Sequence, residues 1–285
     1  MKAGDDLQVR PAVLTDTQHI ADLLRTSPTI HRHLDWRNPL DWIGTPPFFV
    51  IENHGEILAA LGCPPEPPSI AWLRLFVNSG RLPVEESWQR LWEKARTELT
   101  NKSPSLAAAI VLHEWLHGLL LFNGFTSHQS IVMLERNDGN PPELELPTGI
   151  TLRAMLPFDL PAVAEVDSSA FELLWQNALP VLERAYPQAI WATVAEMDNR
   201  VVGYQLSTRS PVGVHLARLG VYRDLQGKGL GYTLVASLIQ QASQHGISHL
   251  TVNTQSDNAR SLALYSRLDF HETGERYPVY ELQVS

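Results

Sequence analysis

Apolar residues recur along this chain in two rhythms, and each rhythm occurs twice. In "LQVRPAVLTDTQHIADLL" (7–24) a short extended stretch carrying Arg10 gives way to an amphipathic helical pattern. "ITLRAMLPFDLPAVAEVD" (150–167) repeats that order around Arg153. "FFVIENHGEILAAL" (48–61) and "ATVAEMDNRVVGYQL" (192–206) each read as two strands joined by a tight polar turn. "WLRLFVNS" (72–79) and "LARLGVYR" (216–223) read as further strands, with Leu75 and Val77 over Leu219 and Val221. The order predicted in each half is a strand, one or two helices, three strands, a helix, a strand, a helix and terminal strands.

The repetition has a nearly constant period. Arg10 and Arg153 stand 143 positions apart, Glu52 and Glu196 stand 144 apart, Leu75 and Leu219 stand 144 apart, and Phe125 and Phe270 stand 145 apart. A fixed offset across four segments describes two copies of one mixed α/β layer with helices on both faces. The segment "RNDGNPPELELPTG" (136–149) is rich in Asn, Gly and Pro and separates the copies. The expected division is therefore 1–138 as the first domain, 139–147 as linker and 148–285 as the second domain.

Composition narrows the function classes. With 44% hydrophobic and 19% charged residues in a chain of 285, two ordinary globular cores can form. The formal charge of −9 argues against nucleic acid as a partner and disfavours acidic ligands. Cys63 is the single cysteine, so there is no intrachain disulfide framework, which suits a reducing compartment. "MKAGDDLQVR" lacks the apolar core of a secretory signal. The longest apolar run, "SLAAAIVLHEWLHGLLLF", is interrupted by His113, Glu114 and His117, so no membrane association is expected. A cytoplasmic protein is the expectation.

The second copy carries the chemistry. After the apolar strand ending near Val221 comes Gln226-Gly227-Lys228-Gly229-Leu230-Gly231, and a helix follows at once with Leu234, Leu238 and Ile239. Glycines let main-chain N–H groups approach a ligand, and a helix N-terminus adds partial positive charge, which together suit phosphate or pyrophosphate. A Walker loop fails because Tyr222 stands at the first Gly position and Gly229 follows Lys228. A dinucleotide fingerprint fails because the spacing is G-x-G-x-G and the loop comes late in its domain. Further on, "HLTVNTQSDNARSLALYSRLDFHETGE" (249–275) gives a strand, then Asn258-x-x-Ser261-x-x-x-Tyr265, then Leu268-Asp269-Phe270.

Over roughly the last 75 residues the order and spacing of these motifs resemble the GNAT N-acetyltransferases. Gln226, Gly229 and Gly231 fill that family's acyl-CoA loop [Q/R]-x-x-G-x-[G/A]; Asn258, Ser261, Tyr265 and Phe270 fill its N-x-x-[A/S]-x-x-x-Y-x-x-x-G-F, with Asp269 in place of the usual Gly. The resemblance implies two tandem GNAT folds, each a mixed, mostly antiparallel sheet with a splayed parallel strand pair near 217–221 and 250–254. It implies acetyl-CoA as co-substrate, with no metal, and a small-molecule or peptide amine as acceptor. Leu219, Gly220 and Val221 would meet the pantetheine arm, Gln226, Gly227, Lys228, Gly229, Leu230, Gly231 and Tyr232 the pyrophosphate, and Asn258 and Ser261 the CoA as well. Tyr265 would protonate the departing thiolate. Local readings stand beside these. Tyr265 lies on a helical stripe with Leu262 and Leu268 and reads also as a core aromatic, Asn258 as a helix cap, and Lys228 as a solvated cation. The general base stays open among His215, Glu196, Asp167 and Glu172, each of which reads also as a surface or structural residue, and a water chain. Tandem relatives include enzymes acetylating a small pseudo-disaccharide amine. The alternative is a module that binds acyl-CoA without turnover, which retention of Tyr265 and the full glycine loop argues against.

At the offset of 144, the loop falls on Leu82, Pro83, Val84, Glu85, Glu86 and Ser87, Asn258 falls on Glu114, and Tyr265 on Leu121. Proline removes an N–H and two carboxylates repel phosphate. The first copy is expected to keep the fold and lack the chemistry. "HEWLHG" (113–118) fits the zinc-protease pattern H-E-x-x-H, but it falls at the matching helix start, and Leu120 and Asn123 depart from the long zincin form. A metallopeptidase is disfavoured.

Overall fold

In a computed structural model of the chain, the described residues are 7–102, 106–137 and 140–284; Asp138 and, of the expected linker, Gly139 lie outside them. The chain forms two compact units, Met1–His128 with Tyr277–Ser285, and Gln129–Arg276. The first unit runs β1 (Gln8–Pro11), α1 (Thr17–Thr26), β2 (Thr29–Arg32), β3 (Phe48–Asn53), β4 (Glu56–Gly62), β5 (Ile70–Trp72), β6 (Leu75–Asn78), α2 (Val84–Lys102), β7 (Leu106–Ile110), α3 (Glu114–Phe122) and the start of β8 (Thr126–Arg136). The second contains the rest of β8, then β9 (Ile150–Ala154), α4 (Leu160–Ala170), α5 (Leu179–Ala185), β10 (Trp191–Met197), β11 (Arg200–Ser210), β12 (Gly213–Val221), α6 (Leu230–Gln244), β13 (Leu250–Gln255), α7 (Ala259–Ser266) and the start of β14 (His271–Gln283). No helix of the described residues is long and apolar enough to cross a membrane.

The repeated arginine is a strap between the first strand and the first helix. Arg10 makes a bidentate pair with Asp16 at 2.7 and 2.9 Å and reaches Glu52 at 2.6 Å, while Asp16 also accepts from Val13 N at 2.8 Å. Arg153 does the same with Asp159, at 2.7 and 2.8 Å, and with Glu196 at 2.5 Å; Asp159 accepts from Leu156 N. The fork of a guanidinium matches a carboxylate edge to edge, so the entry angle of the helix is set identically in both copies.

Sheet order in the second unit is β9-β10-β11-β12-β13-β8. All neighbours there are antiparallel except β12 and β13, which run parallel through Val214↔Leu250, His215↔Thr251 and Leu216↔Val252. Helix α6 buries Val235, Leu238, Ile239 and Ala242 against Val214, Leu216 and Val252, the i, i+3, i+4, i+7 stripe of its sequence. Helix α4 packs on β11 and β12. In the first unit, Trp88, Leu91, Trp92, Ala95 and Leu99 of α2 pack on Phe49, Ile51, Leu61 and Phe76. Strand β5 runs parallel to β7 through Ile70↔Leu106, Ala71↔Ala107 and Trp72↔Ala108, the positions 144 residues before those of β12 and β13.

Two features differ from the expected element order. The first unit has the extra strand β2, antiparallel to β6, and its third long strand is broken at Leu73–Arg74 into β5 and β6. The break is held from both sides: Leu73 N donates to Ala108 O and Arg74 N to Gly62 O, with Arg74 buried against Asp35 at 2.8 Å. The terminal strands also cross over. Strand β13 of the second unit takes β8, from the first half of the chain, through Leu250↔Arg136 to Gln255↔Ile131; β7 of the first unit takes the end of β14 through Val279↔Ile110 to Gln283↔Leu106. Tyr280 and Val284 thus belong to the core of the first unit, and Val132 and Leu134 to that of the second.

This exchange has a direct test. A fragment of residues 148–285 lacks β8 and leaves one edge of β13 unpaired, so it is expected to aggregate or melt without cooperativity, whereas 126–285 recovers a cooperative transition by circular dichroism. Acid sensitivity is expected from His31, which is fully buried with Nε2 at 3.1 Å from Leu73 O and Nδ1 without a partner. Burial is the main cause of its pKa being pushed down to about 4, against an opposing bond to Leu73. Above about pH 6.5 the imidazole is neutral in folded and unfolded chains alike. As pH falls from there towards 4 the unfolded chain takes the proton first, removing about 3 kcal/mol of stability. Urea titrations at stepped pH should show this loss, and His31→Phe should reduce it, with the likewise depressed His33 keeping its own share.

Candidate active site

The parallel pairing of β12 and β13 lasts three residues, then stops, although β12 continues to Val221 and β13 to Gln255. At the point of separation β12 carries a bulge at Ala217, since Leu206 pairs with Arg218 while Ser207 pairs with Leu216. Beyond it, β12 stays paired with β11, and Tyr222 N donates to Val202 O. Alternation along a strand then turns the N–H and C=O groups of Leu219 and Val221 to the side where β13 has departed. A stretch of strand edge without a partner strand thus opens inside the sheet.

The glycine loop sits at the end of that edge. Gly227 and Gly229 have φ of +78° and +91°, and Gly229 is the N-cap of α6 in the left-handed conformation. A Cβ at Gly227 would meet nothing within 4 Å, so glycine is required there by backbone conformation and not by crowding. Thr233 N is the donor to Gly229 O, which leaves the N–H groups of Leu230, Gly231 and Tyr232 outside the ladder of the helix. Gly231 allows close packing, because a Cβ there would lie 3.3 Å from the Leu264 side chain of α7, which would have to give way. Gln226 bridges the loop to its neighbours: its amide donates to Val221 O at 3.1 Å and accepts from Arg260 at 3.1 Å. Lys228 is exposed, and Arg267 lies over the Tyr232 ring at 5.0 Å.

Helix α7 closes the third side. Asn258 accepts from Ser261 N at 3.1 Å and caps the helix, the local reading of that residue. Tyr265 is 4% exposed among Leu238, Val252, Leu268 and Phe270, and no described residue hydrogen-bonds its hydroxyl. Burial pushes its pKa up, so it holds its proton at neutral pH. Asp269, where glycine is usual, has φ +60°; aspartate tolerates this region better than most residues, which accounts for the departure. The structure thus places Leu219, Gly220, Val221, the 226–232 loop, Asn258, Ser261 and Tyr265 on β12, the start of α6 and α7 of one unit.

The four candidate bases separate. Asp167 is fully buried: Arg218 binds both its oxygens at 2.8 and 2.9 Å, and Tyr204 and Asn177 N donate to it as well. Glu196 belongs to the Arg153 strap. Glu172 is exposed. His215 is half-buried at the last paired rungs of β12, with Nδ1 2.9 Å from Thr251 Oγ1. Burial lowers its pKa, partly offset by a hydrogen bond to the Asn253 side chain, so the ring is neutral at pH 7.

The Asp167–Arg218–Tyr204 cluster was not singled out by its sequence, since its members lie on α4, β12 and β11. Arg218 also donates to Trp175 O at 2.6 Å and covers the Phe171 ring at 3.6 Å, so it fastens the 171–178 loop to the sheet. Burial beside Asp167 pushes the Tyr204 phenol well above its ordinary value, keeping it a donor. Gly220 lies beneath that ring, where a Cβ would come within 2.6 Å of it.

The corresponding place in the first unit is occupied by the protein itself. Asn78 donates to Leu82 O at 3.2 Å and to the buried Ser87 Oγ at 2.9 Å, and accepts from Gly80 N. Helix α2 begins with Glu85 and Glu86 in its first turn. In "HEWLHG", His113 is the N-cap of α3 and His117 Nδ1 lies 2.6 Å from the Tyr280 hydroxyl. Among the described residues no group of three or more His, Cys, Asp or Glu could hold a metal.

Removing the buried counter-charge tests the cluster. Asp167→Ala leaves the Arg218 guanidinium unpaired and is expected to cost about 3–5 kcal/mol, with the 171–178 loop gaining protease sensitivity. A melting temperature equal to that of the parent would contradict this account.

Residues 160–270 match the model of the acetyltransferase (GNAT) family. A mycothiol acetyltransferase of Amycolatopsis mediterranei is 28% identical over 200 residues, 60% of this chain and 66% of the relative. Those of Saccharopolyspora erythraea and Kocuria rhizophila are each 28% identical and are matched over 46% and 61% of their lengths, so the chain spans about half to two thirds of these relatives. Among solved structures, a GCN5-related N-acetyltransferase from Sphaerobacter thermophilus superimposes with a TM-score of 0.64 at 18% identity, covering 98% of this chain and 96% of that one. A tandem GNAT protein from the clavulanic acid biosynthesis pathway gives 0.64 at 15% identity, covering 98% and 99%. At such identities the likeness shows the fold, which spans both copies.

Proposed function

The chain belongs to the GNAT acetyltransferase superfamily through residues 160–270, and on that premise we propose that it transfers the acetyl group of acetyl-CoA to an amine, with the chemistry confined to the second copy. The observation that carries this reading is the interrupted β12–β13 pair ending at a glycine loop and a helix N-terminus. The pantetheine arm takes the place of the missing strand, its amides pairing with the edge at Leu219 and Val221. The pyrophosphate sits on the N–H groups of residues 227–232, where the dipole of α6 favours an anion.

Transfer proceeds by direct attack in a ternary complex. Holding the neutral amine against the thioester carbonyl supplies much of the acceleration. Negative charge developing on the carbonyl oxygen is met by main-chain N–H at the open edge. Tyr265, protonated and unbonded, gives its proton to the departing thiolate. His215, neutral and not part of an ion pair, receives the amine proton through water. The acceptor is a small-molecule amine, a reading supported by the mycothiol acetyltransferases that align over much of the chain.

Thiol release from acetyl-CoA in the presence of an amine panel tests the proposal. Gly229→Glu is expected to abolish acetyl-CoA binding, through bulk and charge at the phosphates, while Glu85→Gln in the first copy leaves it unchanged. Tyr265→Phe should lower kcat about 100-fold or more with acetyl-CoA affinity kept. His215→Ala should remove the acidic limb of the rate profile, which lies below pH 6.5 because burial depresses that imidazole. Acetyl-CoA binding without release of thiol by any amine would leave a binding module instead.

A further inference from the structure

A groove of about 650 Å³ lies in the second unit, between the β9–β10 edge of the sheet and the far half of α6. Its helical wall is Ser237, Gln240, Gln241 and Gln244, and its sheet wall includes Trp191 and Thr193, with Tyr186 from the preceding turn. Residues 237–244 begin more than a turn beyond the phosphate loop, and at 1.5 Å per residue the centre of this wall lies about 15 Å from the start of α6. The groove is therefore apart from the phosphate loop.

The lining carries almost no net charge. Arg153 is its one ionic side chain, and that guanidinium is already shared by Asp159 and Glu196. What remains is uncharged: amide, hydroxyl and aromatic groups set among aliphatic residues such as Leu152, Met155 and Ile190. Gln240 spends its NH₂ on Pro142 O and keeps its carbonyl as an acceptor, while no described residue hydrogen-bonds the side-chain amides of Gln241 and Gln244.

Beneath the groove lies a directed chain of buried hydrogen bonds. Ser207 Oγ donates to Gln205 Oε1 at 2.5 Å, and Gln205 Nε2 donates to Thr193 Oγ1 at 3.1 Å. Ser207 and Gln205 are both fully buried. Because Thr193 Oγ1 accepts inside the protein, its own proton is left for the groove. A buried polar relay is costly unless its last member is satisfied, and its polarity aims a donor at whatever enters. Trp191 beside it offers an apolar face.

We infer that this groove is a second binding site, for an uncharged polyhydroxylated ring such as a neutral sugar. Thr193 donates to a ring or hydroxyl oxygen, Gln241 and Gln244 bracket further hydroxyls with paired donor and acceptor groups, and Trp191 covers the C–H face. A free amide and a hydroxyl suit groups that both give and take hydrogen bonds; an anion finds no unspent cation here. The inference does not rest on acetyl transfer.

The test is titration of the full chain with glucose, N-acetylglucosamine, trehalose and glucose 6-phosphate, followed by the Trp191 indole N–H in ¹⁵N–¹H spectra. The neutral sugars are expected to shift that signal with dissociation constants in the millimolar range or tighter. Gln244→Ala, at an exposed position, and Thr193→Val should each weaken binding roughly tenfold, with acetyl-CoA affinity unchanged. No shift with any neutral sugar overturns the inference, as does unaltered affinity in Gln244→Ala, or glucose 6-phosphate binding more tightly than glucose. Loss of acetyl-CoA binding in Gly229→Glu with sugar binding intact would separate the two sites.

Discussion

Three rungs of parallel pairing, followed by separation of the same two strands, are what the second unit is built around. Main-chain N–H and C=O groups in the interior of a sheet are ordinarily paired, and leaving them open is tolerated only where something else can take their place. Here the bulge at Ala217 marks the parting, β11 continues to hold the far side of β12, and the open edge runs straight into the glycine loop. Every neighbouring feature serves that opening. Gln226 ties the loop to Val221 O and to Arg260, Gly231 lets α7 come close to α6, and the Arg218 cluster keeps the 171–178 loop against the other face.

The first unit keeps the same three rungs at the same spacing and closes the opening. Its strand breaks at Leu73–Arg74, and the broken ends are satisfied at once by Ala108 O and Gly62 O. Where the second unit presents free N–H groups at a helix start, the first has Asn78 and Ser87 bonded to each other and acidic residues in the first helical turn. Pairing geometry alone thus does not make a site. The site exists where the gap is left unfilled and the adjoining backbone can approach a ligand.

Much of this was legible in the chain, because it depends on local pattern. The offset near 144 locates both copies, and the parallel rungs obey it residue for residue. The arginine that recurs at 10 and 153 could be seen, but its role as a strap needed the positions of Asp16, Glu52, Asp159 and Glu196 in space. Asp167, Tyr204 and Arg218 are far apart in sequence and carry no motif, so nothing local announces that they meet. "HEWLHG" shows the converse error: six residues in a suggestive order, one of which serves as a helix cap and another as a partner of Tyr280.

The exchange of terminal strands was invisible for a physical reason. A strand's alternation says which face is buried, not which of two equivalent sheets accepts its edge, and two copies of one fold offer two equivalent edges. In this chain β8 completes the sheet of the later copy, and the end of β14 pairs with β7 in the earlier one. Cut at the linker, the second half loses β8 from beside β13, and the first half loses the end of β14 from beside β7. That gives the first copy a structural role in the chain, since it holds the last strand in its own core. Tyr280 and Val284, from the last residues of the chain, are part of the core that contains Trp88 and Trp92, so selection on the later copy's final strand is also selection on the earlier copy's interior. Loss of a phosphate loop costs the first unit nothing structural, whereas loss of its core would strip the partner edge from β14.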